Sequence, residues 1–222
     1  MAMTQDTQPV EIPPHGLQAL LGVPADPRGM VIFAHGSGSG RLSPRNQRVA
    51  AVLRGAGIAT LLLDLLTPSE EVDRGNVFDI RLLAQRLGQA TDWVRNHVTT
   101  ASLPVGYFGA STGAGAALRA ASEPRHQVAA VVSRGGRPDL AGAAVLEQVT
   151  APTLLIVGSL DTQVIELNQQ AMARLGGEKV LSIVPGASHL FEEPGTLDDV
   201  VRLATDWFLR HLAGDGADPT RS

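Results

Sequence analysis

A serine stands between two glycines in Gly109-Ala110-Ser111-Thr112-Gly113, directly after the apolar run Val105-Gly106-Tyr107-Phe108 and directly before an Ala-rich stretch, residues 114–121. A strand that turns sharply into a helix on G-x-S-x-G is a nucleophile elbow, which lifts the serine oxygen on a strained turn. The residues two before and two after such a serine are pressed together, and only glycine fits there without a Cβ clash. Gly115 and the alanines are expected to let the helix lie close on a sheet. The same residues also read as a Gly/Ala-rich turn with a helix-capping serine. A serine hydroxyl is a poor nucleophile at its free pKa and needs a base within hydrogen-bond reach, itself oriented by a third group. The remaining sequence must therefore supply an imidazole and a carboxylate, together with the elements that bring them to Ser111.

Those elements are legible as alternating strands and helices. Continuous apolar runs at 30–34, 60–64 and 128–132 read as buried strands, those at 105–108, 153–157 and 180–184 as further strands, preceded by two weaker ones near 10–12 and 17–21 that Pro13-Pro14 divides. Between them lie a helix with Val49, Val52 and Leu53 on one face, and a polar loop at 67–75. A long helix follows in which Ile80, Leu83, Leu87, Ala90 and Val94 keep a 3.6-residue period. Asp139 opens a short helix, another starts near Gln163, and the last carries Leu197, Val200, Val201, Ala204 and Phe208 inward. Short crossovers between alternating strands and helices call for a mostly parallel sheet with helices on both faces.

In open parallel sheets the functional groups gather beyond the carboxyl ends of the strands. There the sequence offers His35-Gly36-Ser37-Gly38, Asp64, Ser111, Ser133-Arg134-Gly135-Gly136, Asp161, and finally Gly186-Ala187-Ser188-His189. A nucleophile, an acid and an imidazole thus fall on one edge in the order Ser, Asp, His. Of the six histidines, His15, His97, His126 and His211 do not follow a strand; His35 does, but it precedes a glycine-rich loop and is expected to brace it. Asp161 could instead cap the next helix, and Asp139 is the rival acid. Gly36-Ser37-Gly38-Ser39-Gly40 between strand and helix imitates a dinucleotide fingerprint, but Arg41 stands where its third glycine belongs.

The bulk composition narrows the classes. The 222 residues are 44% hydrophobic and 18% charged, with 18 Lys and Arg against 22 Asp and Glu for a net charge of −4. This suits one domain with a single large core, spanning 1–222 with tails at about 1–9 and 213–222. Mild acidity without a basic cluster argues against nucleic acid and membrane surfaces as partners. The absence of cysteine excludes thiol catalysis. No paired histidines have metal-ligand spacing, so neither metal nor cofactor is expected. The polar first nine residues carry no signal pattern, and a cytoplasmic protein is expected. Oligomeric state is not readable.

From the strand at Met30 to the last helix, closing on Gly186-Ala187-Ser188-His189-Leu190-Phe191, the chain resembles the α/β-hydrolase superfamily. Its resemblance is to the small, lidless, dienelactone-hydrolase-like branch. Two residues depart from that branch: dienelactone hydrolases proper have cysteine where Ser111 stands, and glutamate where Gly36 stands. The resemblance implies an α/β-hydrolase fold without a cap domain, and a hydrolase of carboxylic esters or lactones with Ser111 as nucleophile, His189 as base and Asp161 as orienting acid. The oxyanion hole is expected from the backbone N–H of Thr112 and that of Ser37, with Gly38 as the alternative second donor. Arg41 and Arg134, with Gly38, are candidates for holding a substrate, the arginines through a carboxylate; arginines so placed also tie down loops. With only a few residues between Ser133 and Asp139, no lid fits, so a shallow pocket and small, short-acyl ester substrates are expected. Acyl transfer or perhydrolysis on the same site, and a non-catalytic binding protein, are the competing functions.

Overall fold

The structure, a computed structural model, describes residues 7–212. The tails expected at 1–6 and 213–222 lie outside it. Strand β1 (Gln8–Ile12) begins inside the stretch expected as tail and pairs antiparallel with β2 (Leu17–Gly22). There follow β3 (Met30–Ala34), α1 (Pro44–Gly55), β4 (Ala59–Leu63), the short helices α2 (Pro68–Glu71) and α3 (Arg74–Phe78), and the long helix α4 (Ile80–Asn96). The second half runs β5 (Val105–Ala110), α5 (Thr112–Ala121), β6 (Ala130–Arg134), α6 (Ala143–Leu146), β7 (Thr153–Gly158), α7 (Thr162–Met172), β8 (Lys179–Val184) and α8 (Thr196–His211). Among the described residues these strands form one eight-stranded sheet in the order β1-β2-β4-β3-β5-β6-β7-β8. From β4 to β8 every pairing is parallel.

Strands β3 to β7 are buried at every position because helices cover both faces, which is why their sequences run apolar without alternation. On one face α4 and α5 pack against Ile32, Leu61, Tyr107 and Val131; on the other, α1 and α8 pack against Phe33, Phe108 and Val132. Helix α4 buries the expected periodic stripe, and its N-cap Asp79 accepts from the N–H groups of Arg81 (3.0 Å) and Leu82 (3.1 Å).

Three local expectations need correcting. Helix α1 buries Asn46, Val49, Ala50 and Leu53, an i, i+3, i+4, i+7 stripe, and turns Val52 outward with 42% exposure. The polar loop expected at 67–75 is largely helical: Thr67 accepts from Glu70 N–H while the Glu70 carboxylate accepts from Thr67 N–H, a reciprocal capping box with Pro68 in the first turn. Strand β6 continues to Arg134 instead of ending at Val132, with Ser133 and Arg134 both buried in register with Gly109 and Ala110.

The burial pattern sets a stability contrast. Leu87→Ala, at a fully buried site of α4, should cost about 2–5 kcal/mol. Val52→Ala, at an exposed site, should stay within about 0.5 kcal/mol of the parent. Urea unfolding of the two variants reads the difference, and equal losses would contradict the orientation of α1.

Candidate active site

The elbow forms because β5 runs into α5 with no connecting residue except Ser111, which is left at φ 51° and ψ −121°. A non-glycine residue there costs on the order of 1–3 kcal/mol and persists only where its surroundings over-determine it. They do. Ser111 N–H donates to Arg134 O (3.3 Å), while its carbonyl accepts from the N–H groups of Arg137 (3.0 Å) and Ala114 (3.1 Å). A Cβ at Gly109 would lie 2.5 Å from Ala114 Cα, and one at Gly113 would lie 2.2 Å from Ala34 O. Gly113 therefore lets α5 seat against the end of β3. Gly115 does not share that role: it faces Arg137 O and Leu140, in the turn after β6, rather than the sheet.

Asp161 occupies the N-cap position of α7 yet makes no capping bond. Its Oδ2 instead lies 2.6 Å from His189 Nδ1, with the carboxylate 16% and the imidazole 38% exposed. This bond fixes Nδ1 as the engaged nitrogen and leaves Nε2 for chemistry. The rival Asp139 is held by both guanidinium nitrogens of Arg137, at 2.8 Å each. The loop carrying His189 is pinned on either side: Ser188 N–H donates to Glu193 (3.0 Å), and buried Phe191 adopts φ 56°. Glu193 is held below the usual carboxylate range by the hydrogen bonds from Ser188. Gly135 measures how near the imidazole comes to the elbow. A Cβ there would lie 3.6 Å from His189 Nδ1, and the preceding residue, Arg134, accepts the Ser111 N–H. Ser111 Oγ itself has no hydrogen-bond partner among the described residues.

Beside the elbow lies the loop after β3. His35 Nε2 accepts from Leu65 N–H (3.0 Å), so Nδ1 carries the proton donated to Gly36 O (2.9 Å). His35 is thus a neutral, buried brace for this loop, as its position before the glycines implied. Gly36 lies directly against Ser111, where an added Cβ would sit 3.0 Å from Ser111 Cβ. The expected oxyanion donor Ser37 differs from its anticipated state: its N–H donates to Thr112 Oγ1 at 3.0 Å and is engaged inside the protein. A cavity of about 300 Å³ opens here, lined by Ser37, Gly38 and Thr112 and walled by Leu66, Val77 and Leu83, with Glu71 among its lining residues. Its far wall comes from α2, α3 and the start of α4, and the reading of 67–75 as loop missed it. The signal available was Thr67-Pro68-Ser69-Glu70, a helix-start sequence. The sequence carries no local signal for the Thr112 hydroxyl, whose partner Ser37 lies 75 residues away.

The two candidate substrate arginines have other partners. Arg41 is ion-paired with Asp64 through its guanidinium, and its backbone N–H donates to the same carboxylate (2.6 Å). Arg134 is buried, donates to Asn46 Oδ1 at 3.4 Å and lies 5.9 Å from the Phe191 ring centre. Burial, and secondarily the nearby Arg45, pushes its pKa down to about 10.

The sheet order, the elbow and the acid–imidazole pair on one sheet edge define an α/β-hydrolase. A crystal structure of dienelactone hydrolase from Anabaena variabilis is 53% identical, covers 93% of this chain and 99% of its own, and superposes with a TM-score of 0.88. The chain belongs to the dienelactone hydrolase family. An α/β serine hydrolase homologue from Coxiella burnetii shares the fold at 20% identity, with a TM-score of 0.76 over 93% of this chain and 98% of that one. Two Mycobacterium tuberculosis proteins, provisionally named phosphoribosyl transferases, are 66% identical over 196 residues. That match takes in 88% of this chain but 44% of theirs, so the chain spans less than half the length of the curated relatives it matches. No family model matches the chain. Among the described residues no helix is long and apolar enough to cross a membrane.

Because Gly113 meets backbone atoms rather than a mobile side chain, Gly113→Ala should displace α5 from β3. We expect a loss of at least about 3 kcal/mol, the range of severe overpacking, read by urea unfolding. A variant as stable as the parent would contradict the close approach at the elbow.

Proposed function

We propose that the protein is a serine hydrolase that cleaves small, short-acyl carboxylic esters or lactones through an acyl-enzyme. The observation that carries this reading is the 2.6 Å bond between Asp161 and His189, on the same sheet edge as the strained Ser111. His189 Nε2 takes the Ser111 proton as Oγ forms its bond to the substrate carbonyl carbon. The resulting imidazolium is stabilised by Asp161, which also holds the tautomer. The tetrahedral intermediate then collapses, its carbon–oxygen bond breaks, and His189 returns the proton to the departing alcohol. Water, deprotonated by the same nitrogen, releases the acid and regenerates Ser111. The cavity volume of about 300 Å³ sits at the lower end of ligand pockets, which supports short acyl groups.

The oxyanion is stabilised by the Thr112 N–H at the start of α5 and by the Thr112 hydroxyl. That hydroxyl accepts from Ser37 N–H and so has its own proton free to donate. Ser37 acts through Thr112 in this reading. Acyl transfer to an acceptor other than water would use the same intermediate. The cavity offers a carboxylate and no cation, which opposes a substrate built on phosphates.

Ser111→Ala should lower turnover of p-nitrophenyl butanoate by at least about a thousandfold and abolish labelling by an organophosphonate; persistent labelling would refute the assignment of the nucleophile. Acetate and butanoate esters should outrun palmitate, and the reverse order would remove the short-acyl assignment. Thr112→Val should lower kcat by roughly a hundredfold with KM little changed, the loss of one oxyanion donor, while Thr112→Ser retains most activity. A Thr112→Val enzyme at or above the parent rate would return the second donor to Ser37 N–H.

A further inference from the structure

The charges around the cavity are unevenly disposed. No arginine is among the cavity's lining residues; of those on neighbouring segments, Arg41 is engaged by Asp64 on the side of the glycine-rich loop and Arg86 by Glu70 on the side of α2. Glu70 is also bound by Thr67, and its pKa is lowered because these hydrogen bonds and Arg86 outweigh its desolvation. His35 is held neutral by its two ring hydrogen bonds. Arg134, the remaining candidate for an anion, is buried on Asn46 and Phe191. That leaves Glu71 as the one carboxylate among the cavity's lining residues. It is exposed and has no ion-pair partner among the described residues. Leu66, Val77 and Leu83 line the same cavity and offer a substrate's chain burial but no charge compensation.

Resting on the ester-hydrolase reading, we propose that this site selects esters whose acyl chain is neutral or carries a cation, and rejects those whose acyl chain carries a carboxylate. Glu71 is the residue that sets the preference. A cation entering this cavity meets, among its lining residues, a carboxylate with no ion-pair partner among the described residues. A carboxylate entering there meets like charge and no guanidinium to neutralise it.

The test uses three p-nitrophenyl esters of matched size: a trimethylammonium-bearing butanoyl ester, its tert-butyl carbon isostere, and a glutarate monoester. In the full chain at low salt, kcat/KM should fall in that order, with about a fivefold advantage of cation over isostere, the scale of an exposed ion pair. The spread should collapse at about 1 M salt, where the screening length is near 3 Å. Glu71→Gln should bring the cation-to-glutarate ratio toward one, and Glu71→Lys should invert it. Turnover of the isostere with no charge ranking, or with the glutarate ester preferred, overturns the proposal while leaving the hydrolase reading intact. If none of the three esters is turned over, the hydrolase reading fails. The charge ranking is then read from calorimetric binding of the same three esters to Ser111→Ala, where equal or anion-favouring affinities again overturn it.

Discussion

One backbone conformation governs this molecule. Ser111 sits at a φ that side-chain-bearing residues rarely adopt, and it can stay there only because β5, β6 and α5 are each fixed independently of it. The parallel order places β5 between β3 and β6. One neighbour thereby supplies the carbonyls against which Gly113 packs, and the other supplies the carbonyl that receives the Ser111 N–H. The same adjacency brings β7 and the loop after β8 to the same edge, where Asp161 and His189 meet. The strain at the serine and the meeting of acid with imidazole are therefore two results of one sheet order.

Around that edge the charged groups are disposed to hold loops. Asp64 gathers the chain at residues 40–41 by accepting from both the backbone and the guanidinium of Arg41, and Arg45 bridges α1 to Glu192 beyond the His189 loop. Arg134 is the exception. It is a buried guanidinium without a carboxylate, which carries a desolvation cost offset only in part by its Asn46 bond and the Phe191 ring. Phe191 in turn holds a strained φ while packed beside Gly135.

The fold was largely legible because buried parallel strands and one long amphipathic helix leave strong periodic signals, and the residues beyond the strand ends could be listed in order. What escaped depended on contacts between distant segments. Nothing local tells whether Asp161 caps its helix or reaches across 28 residues to His189; the absent capping bond decides it. Arg134 read as a residue beyond a strand end and a candidate for a substrate carboxylate, yet β6 extends to include it, and Asn46 of α1 and the Phe191 ring lie against it from sequence positions far away. Val52 was misassigned because Ala50, small and easily overlooked, fills the inward position of α1. The wall formed by α2 and α3 was signalled locally by its capping box and was masked by polar composition.

The two departures from the family pattern belong together physically. A Cβ at residue 36 would already stand 3.0 Å from Ser111 Cβ, so any longer side chain there must lie over the nucleophile. A thiol ionises within reach of neutral pH, and a neighbouring titratable group can then control the population of thiolate before substrate arrives. A serine hydroxyl has no comparable ground-state ionisation. It loses its proton only as the new bond forms, to a base that must already be oriented. A carboxylate held against it would contribute nothing to that transfer and would oppose the negative charge developing on the carbonyl oxygen a few ångströms away. With serine at 111, glycine at 36 removes that repulsion and lets the loop bearing Ser37 approach Thr112 closely enough for their 3.0 Å hydrogen bond.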